Sequence, residues 1–148
     1  MISPERLRHF PHFSGMPDEL LQRIAMMTSE RSFKEGERLF EEGNTASHLM
    51  LLESGEVSIV YRLGDDRQVV VDTLVPGDTM CWSALLPPHT LTGSGVGNKA
   101  GVVLKIEAEP LRKLIQEHPE HGLGLLMEVG KVLRSRLAAT RIQLAAAQ

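Results

Sequence analysis

Few of the 148 residues carry groups that could do chemistry, and their types narrow the options quickly. A single cysteine, Cys81, excludes an internal disulfide, a cysteine-rich zinc site and a cysteine-held iron–sulfur cluster. Its neighbours are apolar, the setting of an inert buried thiol; a redox thiol or a haem ligand is the alternative chemistry. The sole tryptophan, Trp82, is either a stacking surface for a base or aromatic ligand or a large plug for the core. His89 follows Pro87-Pro88 and reads as a loop imidazole facing solvent or a ligand. His9 with His12, and His118 with His121, have the three-residue spacing of a metal pair, but neither pair has a third ligand near it in sequence. There is no Gly-x-Ser-x-Gly, no Walker-type Gly-Lys-Ser/Thr, no His-Glu-x-x-His, and no metal-binding His-x-His followed by Glu. Catalysis thus lacks a recognisable nucleophile, phosphate loop or metal, so the expected role is regulatory and not enzymatic, with no metal or cofactor.

Charge argues in the same direction. The net charge is −3, without the basic excess of a nucleic-acid-binding domain. Residues 1–108 hold 10 Lys and Arg against 15 Asp and Glu, and residues 109–148 hold 6 against 4. Arg134, Arg136 and Arg141 lie in that last segment and read as a solvated helix face, not as a strip for nucleic acid. No apolar run approaches the roughly 20 residues of a membrane span, and the N-terminus has charges where a signal peptide would be apolar. A cytoplasmic setting with no membrane contact is the expectation.

The elements that must position these groups follow from periodicity. Pro17, then Asp18 and Glu19, then Leu20, Leu21, Ile24 and Met27 at helical spacing predict a helix ending near Thr28-Ser29. From Arg31 to Ile106 the period changes to short β-branched stretches, the clearest being Val57–Tyr61 and Val69–Leu74. Gly36, Gly43, Gly55, Gly64 and Gly77 punctuate them as turns. After Ile106 the helical period returns, first over Glu109–His118 and then in a long helix from Pro119 to about Ala146. On that helix Leu126, Gly130, Leu133, Leu137, Thr140 and Leu144 form a heptad seam, and Leu125, Val129 and Val132 form a second stripe. Two apolar faces imply two partners. One is the rest of the chain, and the other is expected to be a second copy, giving a homodimer.

Several local stretches then converge on one pattern. Phe13-Ser14-Gly15-Met16 with Leu20-Leu21 precedes Phe33-Lys34-Glu35-Gly36-Glu37-Arg38-Leu39-Phe40-Glu41-Glu42-Gly43; Leu49–Leu52 leads into Glu53-Ser54-Gly55-Glu56-Val57; and Leu74-Val75-Pro76 leads into Gly77-Asp78. Together they resemble the cyclic nucleotide-binding domain of the catabolite activator (Crp-Fnr-like) superfamily, protein kinase A regulatory subunits and cyclic-nucleotide-gated channels. The resemblance covers almost the whole chain. It implies a mainly β fold with flanking helices: a double-stranded β-helix (β-roll or jelly roll) behind a short N-terminal helical unit and before a long C-terminal dimerisation helix. The expected organisation is one domain, 1–148, with the helical unit at 1–30, the roll at 31–107 and the C-terminal helices at 109–147.

The resemblance also implies a ligand site, a phosphate-binding cassette at 77–100. In ligand-binding relatives a Gly-Glu pair there takes the ribose hydroxyl, and Arg-Ser/Thr-Ala holds the cyclic phosphate. Here Cys81-Trp82 stands where Gly-Glu would be, and Leu91-Thr92-Gly93 where Arg-Thr-Ala would be. Between Trp82 and Asn98 there is no Asp, Glu, Lys or Arg. With each charge-assisted hydrogen bond contributing about 1.5–3 kcal/mol, the loss of both weakens binding by about two to four powers of ten. Micromolar binding of cyclic AMP is therefore not expected.

Three outcomes stay open for Gly77, Cys81, Trp82, Ser83, Ala84, Leu85, His89, Leu91, Thr92 and Gly93, the expected cassette residues. The Ser83, Ala84 and Leu85 amides, the Ser83 and Thr92 hydroxyls and a protonated His89 can hold an anion. Trp82 and Leu91 can line an apolar cavity for another small effector. Or the pocket is closed and the chain is a ligand-independent interaction protein with a protein partner. Transcription factors of the superfamily continue beyond the long helix into a helix-turn-helix, so no DNA binding is expected from this chain alone.

Overall fold

The computed structural model describes residues 1–148. Two helices, α1 (Pro4–Arg8) and α2 (Asp18–Met26), precede six strands: β1 (Thr28–Phe33), β2 (Arg38–Phe40), β3 (His48–Arg62), β4 (Gln68–Leu74), β5 (Thr79–Met80) and β6 (Ser94–Glu107). A 3-10 turn, Trp82–Ala84, separates β5 from β6; α3 (Ala108–Glu117) and α4 (Pro119–Ala146) follow. The strands form one antiparallel sheet in the order β1-β6-β3-β4, with β2 also paired to β6 and β5 to β3. It is the expected β-roll with flanking helices. The helix before it ends at Met26 and β1 starts at Thr28, so the strands begin slightly earlier than the expected 31.

The roll depends on two long strands that bend together. β3 and β6 pair from His48–Glu107 to Val60–Ser94, and their register slips repeatedly between Leu52 and Val57. Such irregularities add local twist and let one strand pair serve two walls. Gly55 sits at this bend with φ +85°, and a Cβ there would lie 2.7 Å from the carbonyl oxygens of Lys99 and Ala100. Only glycine meets both demands. On the near side of the bend Leu49, Leu51 and Leu52 enter the core; beyond it Ile59 and Tyr61 reach the other half of the roll.

The helices close the near side. Leu7, Phe13, Leu21 and Ile24 from the N-terminal segment are fully buried, as are Leu111 of α3 and Leu104 and Ile106 of β6. Arg6 fastens this segment to the sheet, donating to both carboxylate oxygens of Glu53 (2.5 and 2.9 Å) and to Glu30 (2.7 Å). On α4, Leu125 and Val129 are buried and Val132 half-buried, the stripe expected to face the rest of the chain. No helix is long and apolar enough to cross a membrane.

The histidine pairs make no metal cluster. His118 Nε2 lies 3.3 Å from an Arg23 guanidinium nitrogen, His121 lies 3.6 Å from Glu120, and no three His, Cys, Asp or Glu side chains converge anywhere. His12 instead is a core residue, its Nδ1 3.3 Å from the Thr79 hydroxyl and its Nε2 without a partner. Burial pushes its pKa below the usual imidazole value, partly opposed by Glu128. The unfolded imidazole takes up its proton near pH 6.5, the folded one only at lower pH. Below about pH 6.5 the unfolded state therefore binds more protons, and stability falls with pH. His48, its pKa also lowered, first by burial and then by Lys105, adds to the same slope. We expect His12→Phe to flatten the decline of the urea midpoint below about pH 6.5 relative to the parent; an unchanged slope would place the titration elsewhere.

Candidate functional site

The far half of the roll encloses a cavity of about 870 Å3. Its walls are Phe40 of β2, Ile59 and Tyr61 of β3, Val69–Leu74 of β4, Thr79 and Met80 of β5, and Trp82, Ser83, Leu91, Thr92 and Gly93 of the cassette. The remaining wall is α4, which contributes Arg136, Thr140 and Gln143. Ten of the nineteen lining residues are apolar. Size and composition both suit a small-molecule site, about 300–1,000 Å3 and mostly apolar with a few polar groups.

Local structure explains how the cassette reaches this wall. Gly77 and Asp78 complete a turn in which Asp78 Oδ2 accepts from the Val75 amide at 2.9 Å. Cys81 takes a left-handed conformation (φ 65°) and starts the 3-10 turn. The chain then returns beside the segment after β2: Gly43 donates to the Leu91 carbonyl, Leu91 to Asn44, and Ala46 to His89, all at 2.8–2.9 Å. Leu91–Gly93 is thereby laid across the cavity. Glycine at 93 and 95 makes room for the walls, since a Cβ at Gly93 would meet the Tyr61 ring at 2.8 Å and one at Gly95 would overlap the Phe40 ring.

Of the ten expected cassette residues, Trp82, Ser83, Leu91, Thr92 and Gly93 line the cavity, and Gly77, Cys81, Ala84, Leu85 and His89 do not. Ala84 and Leu85 are buried in the core. Their amides donate to the Cys81 and Trp82 carbonyls (3.0 and 2.9 Å), so the expected anion cradle loses two of its three backbone donors. His89 turns away and its Nδ1–H donates to the Ser83 carbonyl at 2.7 Å, bracing the cassette internally. Cys81 faces a separate cavity of about 200 Å3, where burial pushes its thiol pKa far above the usual range, as befits an inert thiol. Trp82 is half-buried and packs on the core, yet it forms a wall and leaves the cavity open.

Two charged residues at the cavity come from outside the cassette, which corrects the expectation of a charge-free pocket. Arg136 Nη1 donates to Asp72 Oδ2 at 2.5 Å and its Nη2 to Asp78 Oδ2 at 3.2 Å. The side chain is 26% exposed, not part of a solvated strip. Asp72 also accepts from the Thr73 amide at 2.9 Å. One guanidinium is thus shared by two carboxylates, joining α4 to β4 and to the turn before β5. Thr140, placed in the seam by its spacing, also borders this cavity, its hydroxyl donating to the Arg136 carbonyl at 2.9 Å. The sequence signal was present: positions 125, 129, 132, 136, 140 and 143 are a single helical stripe whose residue types change from apolar to polar as α4 leaves the core. The other seam positions stay exposed, with Leu126 and Leu133 at 38%, Leu137 at 50% and Leu144 at 62%.

A β-roll with a cavity between its cassette and a long C-terminal helix defines the architecture of a nucleotide-sensor domain. The model of the cyclic nucleotide-binding domain family matches residues 30–118, and the chain belongs to that family. It is 26% identical over 133 residues to a CRP-like cAMP-activated global transcriptional regulator of Mycobacterium tuberculosis, covering 90% of this chain and 58% of that regulator. The chain thus spans less than two thirds of that relative. A crystal structure from Geobacter metallireducens GS-15, described as a cyclic nucleotide-binding protein, is 34% identical with TM-score 0.83, covering 93% of this chain and 99% of that one. The regulatory subunit of a cAMP-independent protein kinase A from Trypanosoma brucei, solved as a mutant bound to cAMP, shares the fold: TM-score 0.67, 19% identity, 86% of this chain and 49% of that one.

Proposed function

We propose that this chain is a regulatory sensor module, not an enzyme, that takes a small effector in the roll cavity but does not bind cyclic AMP tightly. The observation that carries the reading is an open cavity of about 870 Å3 whose one guanidinium is held by two carboxylates. Neither a free cation for a cyclic phosphate nor a carboxylate for a ribose lies on the cassette walls. The family includes a cAMP-activated relative and a kinase subunit described as cAMP-independent, so the fold itself does not dictate the ligand. Output passes through α4, which forms one wall of the cavity and carries the exposed leucine seam. An effector that binds two positions of α4 unequally shifts the balance between them. The seam joins two copies in a homodimer, and a protein partner reads the resulting geometry.

Calorimetric titration with cyclic AMP and cyclic GMP tests the ligand reading: no saturation is expected at micromolar concentrations, and stoichiometric micromolar uptake of either would overturn it. For the seam, light scattering is expected to give twice the 16.4 kDa chain mass. Leu133→Asp with Leu137→Asp should reduce that to one chain, and a monomeric parent would refute the dimer.

A further inference from the structure

The charge arrangement at the cavity specifies the class of effector beyond excluding cyclic nucleotides. Two ionised side chains line the cavity, Asp72 and Arg136, and they are bonded to each other. Asp78, just outside the lining, adds a second carboxylate to the same guanidinium. An anion that approached Arg136 would meet one positive and two negative charges, so the three guanidinium N–H groups not given to the carboxylates would be offered in a net negative surrounding. A cation finds little better, because each aspartate already accepts from a backbone amide as well as from Arg136. Apart from Asp72, Arg136 and the Tyr61 phenol, the walls, Phe40, Ile59, Met80, Trp82 and Leu91 among them, carry no ionisable group. A charged ligand placed there would give up its hydration for nothing that compensates it. The neutral polar groups that remain, such as the hydroxyls of Ser83 and Thr92 and the carboxamide of Gln143, pair with uncharged donors and acceptors.

We infer that the effector is an uncharged, largely apolar molecule, with an aromatic or branched hydrocarbon body and a hydroxyl, carbonyl or amide group, and that the Arg136–Asp72–Asp78 cluster rejects anions. This rests on the proposed sensor reading of the cavity and names its ligand chemistry.

A matched pair of fluorophores separates the two ideas. N-Phenyl-1-naphthylamine is neutral, and 1-anilinonaphthalene-8-sulfonate has the same ring skeleton with a sulfonate. Trp82 is the sole tryptophan and lines the cavity, so energy transfer from it reports either probe bound near it, and transfer that persists in Leu133→Asp with Leu137→Asp but falls in Thr92→Phe belongs to the cavity and not to the leucine seam. The parent protein should bind the neutral probe at least about tenfold more tightly than the sulfonate. Thr92→Phe, which adds a ring at the cassette wall of the cavity, should weaken probe binding about tenfold and cut the transfer accordingly. Asp72→Asn with Asp78→Asn frees Arg136 and should raise sulfonate affinity by about tenfold. Arg136→Met, which removes the cation, should give no such gain.

If the parent binds the sulfonate as tightly as the neutral probe, with transfer cut in Thr92→Phe, the site stands and the inferred selectivity is wrong. If neither probe draws transfer from Trp82 in the parent, the sensor reading of the cavity fails, and the inference with it. Should Thr92→Phe fail to fold, the affinity ratio of the two probes in Leu133→Asp with Leu137→Asp, where the exposed seam is removed, decides the matter.

Discussion

A single guanidinium between two carboxylates organises the functional half of this molecule. Arg136 is a point at which α4 meets the β-roll beyond the apolar core, and its partners come from two segments: Asp72 from β4 and Asp78 from the turn that opens the cassette. The cluster is partly screened by solvent, with all three side chains about one quarter to one third exposed, so its contribution to global stability is modest. Its importance is positional. It ties α4 to β4, and it sets two negative charges against the one cation the cavity has.

That position matters because α4 carries three roles on a continuous surface. Near its start Leu125 and Val129 anchor it in the core. Two turns further on, the same stripe presents Arg136, Thr140 and Gln143 to the cavity. Beside that stripe the exposed leucines form the seam, with Leu137 adjacent in sequence to Arg136. A shift of the helix at the cavity is therefore felt at the seam without an intervening loop, since a helix transmits displacement along its length as a packed rigid element. α3 gives way to α4 at His118-Pro119.

Much of this was legible in the sequence. The bounds of α3 and α4 followed from apolar spacing and from Pro119, which can only begin a helix there. Gly36, Gly43 and Gly77, read as turns, lie in turns with positive φ, whereas Gly55, also read as a turn, is a positive-φ bend inside the continuous strand β3. The absence of Asp, Glu, Lys and Arg between Trp82 and Asn98 was a matter of residue identity alone. What escaped depends on contacts distant in the chain. Five-residue α1 is too short to show a period, and is held by burial of Leu7 and by the bonds from Arg6 to Glu53 and Glu30. Arg136 looked like a solvated arginine because its partners lie 64 and 58 residues away. His89 looked free to meet a ligand because nothing local reveals that it folds back on Ser83. Trp82 was ambiguous between plug and wall, since its size alone does not say how far apart the opposite walls stand.

The commitment of Arg136 to its two aspartates is the premise on which the ligand chemistry and the helix coupling both rest, and a double-mutant cycle in urea denaturation measures it. The cycle sets Arg136→Met against the paired change Asp72→Asn and Asp78→Asn at low salt. A coupling energy of about 1 kcal/mol that shrinks as salt is added is the predicted result. Additive effects, with coupling within about 0.3 kcal/mol of zero at every salt concentration, would contradict the account and leave Arg136 free to serve a ligand.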